Sequence, residues 1–135
     1  MVVGDVLYFS ANDGSTGSEL WAYNTSNSSN PWRVADIHSG NSGSEPGMHM
    51  SVLVGDTIYF DAAALGGTEL WAHNISNHST WRVVDIYTGS IGSDPGDGMA
   101  LLVGDAIYFD ADDGSTGSEL WAHDTSNHST WHCLL

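Results

Sequence analysis

Three Glu-Leu-Trp triplets, Glu19-Leu20-Trp21, Glu69-Leu70-Trp71 and Glu119-Leu120-Trp121, carry the residues best suited to hold a ligand. An indole ring stacks on apolar faces such as those of sugars, and a carboxylate accepts hydrogen bonds from hydroxyls, so these six side chains form the candidate ligand-binding set. Their recurrence weighs the other way. A residue kept in every copy of a repeat serves its packing, and tryptophan buries a large apolar area. Packing is therefore the expectation for Trp21, Trp71 and Trp121, and a bond to a turn or neighbouring unit for the glutamates.

Oxygen ligands crowd two glycine-containing turns, at Asp110, Asp112 and Asp113 and at Asn12 with Asp13. Calcium accepts such oxygens in flexible geometry, which makes Asp110, Asp112 and Asp113 a candidate weak Ca2+ site. The spacing is not that of an EF-hand, since no glutamate follows at the twelfth position. The matching turn at 63–67, Ala-Ala-Leu-Gly-Gly, has no carboxylate, so a metal required by every copy is excluded. No other cofactor is expected. Of the seven histidines, His73 pairs with His123 and His78 with His128 at equivalent repeat positions, while His38, His49 and His132 stand alone and are expected to be exposed. Zinc needs ligands converging on one point, and equivalent positions in successive units are kept apart.

Nucleophilic chemistry finds no support. The sequence has no Gly-x-Ser-x-Gly elbow, no phosphate-binding glycine loop and no His-Glu-x-x-His, and Cys133 lies near the end of the chain. Paired carboxylates leave a propeller glycoside hydrolase as the alternative reading. Sialidase-like sites of that kind grip their substrate with arginines, and this chain has two, Arg33 and Arg82, at equivalent positions. Five Asn-x-Ser/Thr sequons, at Asn24, Asn27, Asn74, Asn77 and Asn127, fall in recurring turns and read as turn chemistry before glycan acceptors.

The 17 acidic residues face two basic ones, a formal charge of −15 with no lysine. Nucleic acid and anionic membranes are excluded as partners, because both require basic residues to neutralise phosphates. A single cysteine rules out an internal disulfide. There is no signal-like apolar run and no stretch near the roughly 20 residues that a membrane helix needs. A surface this acidic fits a saline habitat or a secreted repeat protein.

What positions these residues is a threefold repeat of about fifty residues, a period typical of solenoids and propellers. Gly4-Asp5, Gly55-Asp56 and Gly104-Asp105 each precede an apolar-Tyr-Phe run ending at Phe9, Phe60 and Phe109; Glu-Leu-Trp-Ala follows, and then a second tryptophan, Trp32, Trp81 or Trp131. Each unit reads as four short strands. In the second they cover 50–54, 57–62, 68–73 and 80–86, with Gly-Asp as a two-residue hairpin between the first pair. Strand residues are rich in Ile, Tyr, Phe, Trp and Val and lack a helical period. The nearly continuous Ile-Tyr-Phe-Asp-Ala run suits a strand covered on both faces, as in a blade between two others. The fold class is all-β, a β-propeller of four-stranded antiparallel blades, in one repeat domain over 1–135 with blades at about 1–37, 50–86 and 99–135 and linkers at 38–49 and 87–98.

In Glu19-Leu20-Trp21, Glu69-Leu70-Trp71 and Glu119-Leu120-Trp121, and in the preceding Tyr-Phe and Asn-Asp-Gly or Asp-Asp-Gly, all three units resemble the ELWxxDGT-type repeats of large secreted bacterial proteins. Asp124 keeps that family's aspartate, where Asn24 and Asn74 replace it. The resemblance implies β-propellers and an extracellular or cell-surface setting. The expected function is a non-catalytic module, binding glycan or protein or serving as scaffold. Propellers close with four to eight blades, so three blades per chain predict a homo-oligomer, a six-bladed dimer ahead of a nine-bladed trimer.

Overall fold

The structure is a computed structural model that describes residues 1–134; Leu135, the last residue of the expected third blade, lies outside them. Among the described residues twelve strands form three four-stranded antiparallel sheets, each a meander in chain order. Blade 1 comprises β1 (Val2–Val3), β2 (Val6–Asn12), β3 (Ser18–Asn24) and β4 (Trp32–Ala35). Blade 2 comprises β5 (Ser51–Val54), β6 (Thr57–Ala64), β7 (Gly67–Asn74) and β8 (Thr80–Val84). Blade 3 comprises β9 (Ala100–Val103), β10 (Ala106–Asp112), β11 (Ser118–Asp124) and β12 (Ser129–His132).

The first hairpin of each blade turns on Gly4, Gly55 or Gly104, at φ of +57°, +56° and +61°. The glycine, first in the two-residue loop, alone takes the positive φ, as a type II′ turn requires. The fourth strands stop earlier than the sequence suggests. β8 ends at Val84 because the next backbone leaves the sheet, and the amide of Ile86 is taken by the Glu69 carboxylate at 3.0 Å.

Residues opposite each other across an antiparallel pair share a face. In blade 2, Tyr59 opposite Ala72 points toward blade 3, here called forward, while Phe60 opposite Trp71 points back toward blade 1. Two cores result. Tyr8, Leu20 and Ala22 of blade 1 meet Ile58, Phe60 and Ala62 of blade 2. At the second joint Tyr59, Leu70 and Ala72 meet Ile107, Phe109 and Ala111 of blade 3. The middle blade is thus covered on both faces, and β6 is buried continuously from Ile58 to Ala62.

Each linker folds back over the start of the third strand of the blade it leaves. Gly67 and Gly92 approach so closely that a Cβ on either would collide with the other segment's backbone, and Gly17 and Gly43 repeat the contact one blade earlier. These positions must be glycine for the linker to seat.

Candidate functional site: a groove repeated at both blade joints

Between blades 1 and 2, Tyr8, Trp32, Arg33 and Val34 of the first blade and His73 and His78 of the second line a groove of about 210 Å³. Between blades 2 and 3 the same repeat positions except the arginine's, Tyr59, Trp81 and Val83 with His123 and His128, line a groove of about 230 Å³. One wall comes from the second and fourth strands of the leading blade. The other comes from the third strand of the following blade and the turn after it.

The geometry repeats closely. The Tyr8 and His73 ring centroids lie 5.9 Å apart at 46°, and those of Tyr59 and His123 lie 5.4 Å apart at 48°. Each inner histidine is fixed by a threonine on the next strand, with His73 Nδ1 2.8 Å from Thr80 Oγ1 and His123 Nδ1 2.9 Å from Thr130 Oγ1. The outer histidines, His78 and His128, sit in the turn at φ of +62° and +61°. That turn is built by Asn74 or Asp124, whose Oδ1 accepts the amide of Ser76 or Ser126 at 3.0 Å or 2.8 Å.

Burial pushes the pKa of His73 and of His123 below the ordinary histidine value, and the neighbouring His78 or His128 adds to the effect. Both inner rings are therefore neutral near pH 7, each with one donor and one acceptor nitrogen. Burial raises the Tyr8 and Tyr59 hydroxyls above the usual phenol value, so both remain protonated. At the rim, Trp32 is 42% and Trp81 36% exposed, large values for tryptophan. The equivalent Trp131 is 39% exposed. The indole is open beside the exposed turn histidine, with the tyrosine and inner histidine buried behind them, and offers a stacking platform.

The residues singled out from sequence lie elsewhere. Trp21, Trp71 and Trp121 are half-buried, and Trp71 and Trp121 pack on the inter-blade cores. Trp121 also stacks on His132 at 5.2 Å and 20°. Glu19 and Glu69 are fully buried and face no ligand. Glu19 accepts the amides of Ile37 (2.8 Å) and His38 (3.2 Å) and the Ser44 hydroxyl (2.7 Å). Glu69 does the same with Ile86, Tyr87 and Ser93. They are clamps on the linkers. Glu119 stands half-buried at the same position of blade 3.

Asp110, Asp112 and Asp113 are likewise occupied separately. Asp110 holds the incoming linker through the amides of Gly98 (2.9 Å) and Met99 (2.8 Å), as Asp61 holds those of His49 and Met50. Asp112 and Asp113 cap their own turn, at 2.7 Å to the Gly114 amide and 2.9 Å to that of Ser115. Among the described residues no group of three or more His, Cys, Asp or Glu side chains is placed to hold a metal ion. Of the unmatched histidines His49 is exposed, as expected, and lies 3.0 Å from Asp61 Oδ2; His38 and His132 are half-buried instead, the latter under Trp121.

A larger cavity of about 310 Å³ opens between blades 1 and 2 beside Met1, Glu45 and Gly47. It does not recur. At the next joint the Met50 side chain packs against Gly96, the counterpart of Gly47.

Blades of this kind, with grooves at their joints, define a β-propeller-like repeat protein. Among solved structures, TolB from Acinetobacter baumannii, a β-propeller protein, matches with a TM-score of 0.64 at 15% identity over 97% of this chain. This chain spans 30% of that one. No protein-family model and no curated protein matches.

Proposed function

We propose that the protein is a non-catalytic, extracellular binding module whose inter-blade grooves each take one ring of a neutral glycan. The observation that carries this is the recurrence of one groove at both joints with an exposed tryptophan at its rim. Volumes near 200 Å³ fall below the roughly 300–1,000 Å³ of enclosed small-molecule pockets, which suits a shallow site holding part of an extended ligand. The indole stacks on the apolar face of a sugar while the exposed turn histidine, His78 or His128, engages its hydroxyls. A formal charge of −15 disfavours sulfated or carboxylated sugars. Several weak equivalent sites gain strength together on a multivalent ligand.

A neutral-glycan array followed by titration calorimetry tests the reading. Retention of a neutral glycan that is lost in the double variant Trp32→Ala/Trp81→Ala supports it. An array without a neutral ligand, or binding that survives the double variant, overturns it.

A further inference from the structure

Blade 1 has a back face and blade 3 a forward face that no blade covers, and each carries the residues that are covered elsewhere in the chain. On the forward face of blade 3, Leu101 is 58% and Val103 62% exposed, beside a half-buried Tyr108. Their counterparts in blade 2, Val52, Val54 and Tyr59, pack into the core shared with blade 3. On the back face of blade 1, Val2 is 63% exposed and Leu7 and Phe9 are half-buried. Their counterparts Leu53, Ile58 and Phe60 pack into the core shared with blade 1. The two open faces are therefore the two halves of a joint that the chain already makes twice.

We propose that blade 3 of one chain packs its forward face on blade 1 of a second copy, head to tail and at both ends, so that two chains close a six-bladed ring. The existing joints continue directly into the new one, and six blades fall within the four to eight of closed propellers. A head-to-tail contact that closes under twofold rotation ends in a finite ring rather than a fibre.

The contact also completes a site. Tyr108 and Trp131 form half of a third groove, which Tyr23 of the partner subunit and Ser28 of the partner subunit finish at the positions of His73 and His78. Both histidines are thereby replaced. Each ring contains two such shared grooves, distinct in chemistry from the internal ones.

The test uses the full chain and two exposed substitutions that cost its own fold little, Val2→Asp on the back face and Leu101→Asp on the forward face. Light scattering after size exclusion at micromolar concentration is expected to give twice 14.4 kDa for the unaltered chain. Each variant alone should run at 14.4 kDa with unchanged circular dichroism, and an equimolar mixture should recover the two-chain mass through the one joint left intact. A mass of one chain or three for the unaltered protein overturns the proposal. So does a two-chain mass that survives either substitution alone, which would mean like face on like.

Discussion

Blade 2 and its two neighbours are built from nearly the same sequence yet differ in what their residues experience. Phe60 is fully buried, whereas Phe9, at the same repeat position, is half-buried. Tyr59 is buried and Tyr108 half-buried. Glu69 holds four hydrogen bonds from a linker, while Glu119 has none among the described residues. A blade supplies its strands by itself but its core only together with a neighbour. This is the behaviour of repeat proteins, whose stability sums unit and interface contributions.

The sharpest way to break this comparison is to remove the same side chain from both environments. Phe60→Ala is expected to cost about 3–5 kcal/mol in urea unfolding, the range for a buried phenylalanine. Phe9→Ala should cost less than half of that in a single chain at high dilution, and equal costs would deny that blade 1 has an open face. Next in size, Glu69→Ala leaves buried linker amides without an acceptor and should cost about 2–3 kcal/mol. Glu119→Ala should change stability by less than about 0.5 kcal/mol, as at an ordinary surface position.

Acidity separates the blades more gently. The lowered pKa of His73 and of His123 means that the unfolded chain takes up their protons first as pH falls below 6.5. Their contribution to stability is full above that pH and declines below it. Asp61 and Glu69, raised chiefly by burial, act in the opposite sense: stability present at low pH is lost as pH rises from their ordinary values of 3.8 and 4.5 through the raised ones. Relative to the double variant His73→Gln/His123→Gln, the unaltered chain should therefore lose urea stability as pH falls below 6.5. An unchanged slope would remove the histidines from the account. At the groove rim, Trp81→Ala should cost about 1 kcal/mol or less in stability while abolishing binding in the groove it rims. A Trp81→Ala protein with intact glycan affinity would leave the groove without its platform.

The strands and their antiparallel pairing were legible because each is written locally. Gly-Asp makes the hairpin, β-branched and aromatic runs make the strands, and repetition marks the units. The groove was less legible. Trp71 and Trp81 both recur in every blade, and recurrence does not say which indole a neighbouring blade covers. Position along the meander does: Trp81 lies on the fourth strand, an edge with one neighbour, and Trp71 on the third, with two. The carboxylate clamps were hidden for another reason. Glu69 and Ser93 are 24 residues apart, and only the folded linker brings Ser93 Oγ to 2.6 Å from the carboxylate.

The scarcity of basic residues has a practical consequence in proteolysis. Trypsin has two bonds to cut, after Arg33 in β4 and after Arg82 in β8, each arginine paired with an aspartate three residues on, at 3.6 Å to Asp36 and 3.2 Å to Asp85. Both bonds lie on the outermost strand of their blade, so cleavage requires that strand to detach from the sheet. The three fragments, each about the size of one blade, would report by their order of appearance which of the first two blades opens first, with blade 3 intact as an internal standard.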